Sequence, residues 1–295
     1  MWAGIGIAVI SALMMYLVLP ESARPFSRKK KPSDLPVDVP PADDREWLTE
    51  ALADLVKKRS TEPLLQGALV LPDPTYFPDP WTPTPAGAEA MLRRLMKFAQ
   101  LDFLEVRLVT DEAYVPSGLV SEDRGERHVM AWFSGIQGDV AYFGIGEEQL
   151  KDPAVVAGAL SHEVAHAYRR FHRLEAKDHD LEELLTDATT FFLGFGVLTT
   201  NVAYRYRVTN EVGQSVSSWS SGGYLPAQAM AYLLGLVIRA RGLDARQLDA
   251  VSKHLEDLQK RYLKQSLKVI DAQPDSIEDV LHLRGPEKPS LKLVN

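Results

Sequence analysis

His162-Glu163-Val164-Ala165-His166 places two imidazoles four residues apart with a carboxylate between them. At about 100° per residue, a helix carrying this run sets the two rings some 40° apart and one turn from each other, so both can reach one zinc ion at about 2.0–2.1 Å. Glu163 flanks that face. It is placed to touch a water rather than the ion, which is the geometry a general base needs. The chain has seven histidines in 295 residues, and chance predicts roughly 0.01 occurrences of this pattern in such a sequence. Read blandly, the trio is two ordinary helix histidines beside a solvated glutamate. Val155, Val156, Leu160, Val164 and Ala165 argue against that, because they predict a mostly buried helix. Two imidazoles and a carboxylate buried without partners are costly, and a divalent cation removes the cost.

Catalytic zinc takes three protein ligands and keeps a fourth position open. Downstream stands Leu181-Glu182-Glu183-Leu184-Leu185-Thr186-Asp187. Glu183 and Asp187 share a helix face, so one carboxylate could bind the ion while the other accepts a hydrogen bond from a ligand histidine. Glu182, and Asp187 itself, are further candidates for the third ligand. A structural role competes for Glu183: with Asp180 as N-cap it would occupy the third helical position and complete a capping box. His172 follows His162 by the spacing of the third histidine in HExxHxxGxxH metzincins, but Arg169 stands where their glycine breaks the helix. On a continuous helix His172 points about 100° away from the His162/His166 face. His179, in the Lys177–Asp180 turn, reads as a solvated loop residue.

HExxH followed by ExxxD resembles the gluzincin zinc metallopeptidases, over the stretch from His162 to Asp187. The resemblance implies a zincin-like domain with Zn2+ on a central helix, held by His162, His166 and Glu183, with Asp187 orienting His162. It implies peptide hydrolysis, with Glu163 taking a proton from the attacking water and passing it to the leaving amine. Many zinc peptidases stabilise the oxyanion with a Tyr or His, and Tyr224 is the candidate here. In gluzincins an edge strand beside the site helix pairs with extended substrate, and by resemblance Val140–Ile145 is the strand expected to do so; a plain core strand is the other reading of the same residues.

The elements that must position these groups are legible in outline. Asp152 and Pro153 form an N-cap and first-turn pair that opens the site helix, expected to run to about His172. Earlier, apolar residues at helical spacing predict helices over 45–59 and Ala86–Gln100, separated by the proline-rich connection Pro72–Pro85. Strands are expected at Phe103–Thr110, His128–Ser134 and Asp139–Ile145, forming a small antiparallel sheet. Helices follow at 181–193, 226–241, 244–266 and 275–283. Asn201–Ser221, between glycine-rich breaks, has hairpin-like alternation and suits either a wall of the substrate site or a plain surface hairpin. The expected architecture over 44–295 is one α+β domain, sheet first and helices after.

Composition narrows the function classes. Forty acidic against 33 basic residues give a net charge of −7, leaving no basic surplus for general nucleic-acid binding. The absence of cysteine excludes thiolate zinc fingers, iron–sulfur ligation, disulfides and a cysteine nucleophile. Trp2 to Leu19 is uncharged, and as a helix it spans about 27 Å. Arg24, Arg28, Lys29, Lys30 and Lys31 follow it, so the positive-inside bias directs the carboxyl side to the cytoplasm. The expected organisation is a transmembrane anchor at 1–20 contacting lipid, a Pro/Lys-rich tether at 21–43 and a cytoplasmic catalytic domain at 44–295. A cleaved signal peptide fits less well, lacking a basic leader and a short apolar core. The rival functional reading is a non-catalytic, metal-stabilised binding or scaffold module acting on a membrane partner.

Overall fold

The computed structural model describes residues 38–110, 130–202, 225–273 and 275–283. The expected anchor at 1–20, Tyr224 and nearly all of the hairpin-like stretch 201–221 lie outside them. No helix among the described residues is long and apolar enough to cross a membrane. The elements run α1 (Ala42–Arg59), α2 (Glu62–Leu65), α3 (Pro85–Phe98), β1 (Glu105–Val109), β2 (Ala131–Gln137) and β3 (Val140–Ile145). A 3₁₀ turn (Glu147–Lys151) leads to α4 (Pro153–Phe171) and α5 (His179–Phe192). Residues 196–202 are helical, and α6 (Ala227–Ala240), α7 (Ala245–Ser252), α8 (Asp257–Asp271) and α9 (Ile277–Val280) complete a mixed α+β, mainly helical chain.

α4 is the central element. The Asp152 side chain accepts from the Ala154 N–H at 2.9 Å, and Pro153, with its preset φ and no N–H to satisfy, enters the first turn. Every residue from Val156 to Ala165 is buried, the pattern of a helix covered all round. The covering elements are α3, β2 with its sheet, and α5. Beyond α5 lie α1 and α6, and α6 pairs closely with α8.

The sheet corrects two expectations. It is mixed rather than antiparallel, with order β1-β3-β2. Gln137 faces Val140 across a two-residue turn in which Gly138 takes φ 63°, a left-handed conformation that favours glycine and joins β2 to β3 as an antiparallel hairpin. β1 runs parallel along the opposite side of β3, Glu105 opposite Val140 and Val109 opposite Gly144. In sequence β2 stands between β1 and β3, so the two parallel strands are not consecutive, as a parallel pair requires. β3 is therefore the middle strand, its backbone committed on both sides, and cannot be the substrate-pairing edge expected for Val140–Ile145. β2 is the outer strand against α4.

The expected helix over 244–266 is two helices. The first opens with a capping box between Asp244 and Gln247, and after Lys253–Leu255 a second box, Glu256 with Gln259, starts α8. Gln259 is fully buried and donates from Nε2 to the Thr200 carbonyl at 2.9 Å.

Candidate metal centre

Seven residues, 172–178, connect α4 to α5, so α5 returns along α4 and brings its acidic face to the histidines. Asp178, not Asp180, is the N-cap of α5: its Oδ1 accepts from the Leu181 N–H at 2.9 Å. Leu181 thereby takes the capping-box position that Glu183 was expected to fill. Glu183, two residues further along, has no capping duty and turns to the imidazoles.

His162 Nε2 lies 3.1 Å from Glu183 Oε2 and 3.1 Å from His166 Nε2. His166 Nε2 lies 3.4 Å from Glu183 Oε1. A tetrahedral ion with bonds of about 2.0–2.1 Å sets its ligand atoms about 3.3–3.4 Å apart, so these three side chains are spaced as ligands of one small cation. His162, His166 and Glu183 are also the group whose donor atoms converge well enough to hold a metal ion among the described residues. Two imidazole nitrogens this close repel through their lone pairs unless a proton or a cation lies between them.

The other ring nitrogens are occupied, which orients both Nε2 atoms inward. His162 Nδ1 is 2.9 Å from Asp187 Oδ1, and Asp187, fully buried, also accepts from the Leu225 N–H at 2.6 Å. His166 Nδ1 is 3.2 Å from Thr186 Oγ1. Burial opposes charge on His162, but the carboxylates of Asp187 and Glu183 outweigh it and hold the ring's pKa well above 6.5. Glu183 is also desolvated, yet hydrogen bonds from both imidazoles keep its carboxyl far below the usual carboxylate range. Burial raises Asp187, with His162 and the Leu225 amide pulling the other way. His162 is 3% exposed, whereas His166 and Glu183 keep 18% and 16%.

Glu163 lies beside this group and outside it. It is buried, which raises its pKa, with His166 and His162 pulling it back. The Phe133 backbone of β2 also lowers it, next to the irregularity between Phe133 and Gly135 where β2 slips register against β3.

The remaining candidates are placed elsewhere. Glu182 accepts a forked pair from Arg169, Nε to Oε1 and Nη2 to Oε2 at 2.8 Å each. His172 is the C-cap of α4, its Nε2 3.3 Å from Arg59 Nη2. His179, expected in a loop, is the first residue of α5; it is 60% exposed, with Nδ1 3.8 Å from Glu183 Oε1. Sequence reasoning missed Thr186 and Arg169. Both carried a readable signal, since Thr186 lies three residues past Glu183 and Arg169 three past His166, on the faces that already bear the candidate ligands. Comparison with protein-family models, with curated proteins and with solved structures finds no match for this chain.

Proposed function

We propose that the chain is a zinc-dependent peptidase of zincin-like architecture, similar to gluzincins, tethered to a membrane by residues 1–20 with its catalytic domain on the cytoplasmic side. The reading is carried by one observation: His162, His166 and Glu183 converge at ligand spacing with Glu163 beside them, buried, and Asp187 behind His162. His162, His166 and Glu183 would hold a zinc ion, which when bound would supply Lewis acidity for activating water and polarising a carbonyl.

The residues of the chain do the rest. Glu163 has a carboxyl raised by desolvation, a suitable poise for accepting a proton from the attacking water and returning it to the leaving amine. Asp187 and Thr186 hold the two rings so that Nε2 of each faces inward. The outer strand β2 offers a backbone edge to extended peptide, in the place first assigned to β3.

The test is Glu163→Gln. Elemental analysis should find one zinc in both the original chain and the variant, while hydrolysis of an unstructured protein substrate drops by about 10²–10⁴-fold. A binding module would lose neither metal nor partner. Absence of stoichiometric metal in the purified original chain would sink the reading.

A further inference from the structure

Asp187 steadies His162 directly, whereas among the described residues it is a hydroxyl, not a carboxylate, that meets His166 Nδ1. Behind that hydroxyl stands a buried ion pair with no place in the chemistry above. Thr186 Oγ1 lies 3.5 Å from Glu182 Oε1, and Glu182 is gripped through both oxygens by Arg169, which is only 2% exposed. Arg169 is fixed in turn by Leu174 O at 2.8 Å and Thr189 Oγ1 at 3.3 Å, and Glu182 Oε2 accepts from the Ala176 N–H at 2.6 Å.

Donor and acceptor roles along this series have one consistent assignment once His166 Nε2 serves as a ligand. A ligating Nε2 offers its lone pair to the ion, so Nδ1 carries the proton and donates to Thr186 Oγ1. The hydroxyl, with its lone pair engaged, donates onward to Glu182 Oε1. The Arg169 guanidinium holds Glu182 in place through both carboxylate oxygens.

We propose that Thr186, with Glu182 and Arg169 behind it, is the positioning device for His166: a relayed carboxylate that fixes the ring's tautomer and direction in two steps, as Asp187 does for His162 in one. The inference rests on the zinc reading above. It adds that affinity for the ion depends on a hydroxyl that never touches it. Thr186 is fully buried and lies on the helix that supplies Glu183, so the ligand and the support for its neighbour are carried on one rigid element. Arg169 and Glu182 also pin the 172–178 connection through Leu174 and Ala176, coupling the relay to the link that sets α5 against α4.

The test uses the full chain and its Thr186→Val and Thr186→Ser forms. Each is stripped with chelator and titrated with Zn2+ against a competing chelator, then loaded with Co2+ for its visible absorption spectrum. Thr186→Val keeps shape and removes the hydroxyl. It should weaken zinc binding about 10–100-fold and alter the Co2+ spectrum, while the thermal midpoint of the stripped protein stays close to the original. Thr186→Ser should restore both affinity and spectrum, which a merely structural role would not require. If Thr186→Val fails to fold, Thr186→Ala takes its place under the same criteria. Zinc affinity within twofold of the original in the hydroxyl-free form overturns the relay and leaves the metal site standing. Failure of the original chain to bind zinc overturns both together.

Discussion

His162 and Asp187, 25 positions apart in the chain, meet through Nδ1 and Oδ1 at 2.9 Å in the buried seam between α4 and α5. Asp187 also ties the backbone at Leu225 into that seam, through the Leu225 N–H. One carboxylate thus orients the His162 ring and anchors the start of the chain leading into α6. Asp187→Asn keeps the shape but replaces one acceptor oxygen by an amide that competes to donate. Zinc affinity should fall about 10–100-fold in a competitive chelator titration, with metal stoichiometry at saturation unchanged. Unaltered affinity would remove Asp187 from the site's support.

Capping and the proposed ligation are separable at the start of α5, because they fall on different residues, Asp178 and Glu183. Asp178→Ala should lower folding stability by about 1 kcal/mol, the worth of a lost N-cap, and leave zinc content intact. Glu183→Ala should do the reverse: metal content drops, and the stability of the chelator-stripped protein does not. Denaturant unfolding alongside elemental analysis reads both. Equal metal loss in the two variants would mean that Glu183 is not a ligand.

His172 carries the pH prediction. Burial, then the neighbouring Arg59 guanidinium, lower its pKa from 6.5 to about 4; the Arg59 N–H needs an acceptor, which only a neutral ring offers. The unfolded chain takes up a proton at His172 near pH 6.5 that the folded chain refuses until about pH 4. This residue's contribution therefore favours folding above pH 6.5, and the benefit is lost as pH falls through the window down to about 4. His172→Gln should flatten that part of the profile. Thermal midpoints from pH 7.5 to 4 should converge or cross between the two proteins, and parallel curves would refute the assignment.

Gly158 is a packing constraint one helical turn before His162. A Cβ there would stand 2.1 Å from Val202 Cγ2 and 2.8 Å from the Leu198 carbonyl. The helical segment 196–202 therefore seats on α4 only because that position is bare. Gly158→Ala should cost about 1–3 kcal/mol by overpacking, despite alanine's better helix propensity, as read from the urea midpoint. A stabilising effect would show that the 196–202 segment can retreat.

Much of the site was legible because its signals are local. The Asp152-Pro153 start, the spacing of His162 and His166, and the four-residue step from Glu183 to Asp187 each follow from helix geometry. Reading failed where long-range choices decide. Asp178 and Asp180 are both good caps; the packing of fully buried Leu181 and the Arg169–Glu182 pair select the first. Whether β3 lies at the edge or in the middle depends on where β1 docks, which no period-2 pattern records. Thr186 passed unnoticed because a helical threonine usually satisfies its hydroxyl on its own backbone, as Thr189 does with the Leu185 carbonyl.

The donors of the candidate centre come from two successive helices joined by seven residues. A cation bound there would clasp a single helical hairpin rather than staple remote parts of the chain. Loading should accordingly slow amide hydrogen exchange most strongly along α4 and α5, and leave α7 and α8 nearly unchanged. The ion would then act as a local fastener, raising the opening energy of the hairpin that carries it before it raises that of the whole molecule.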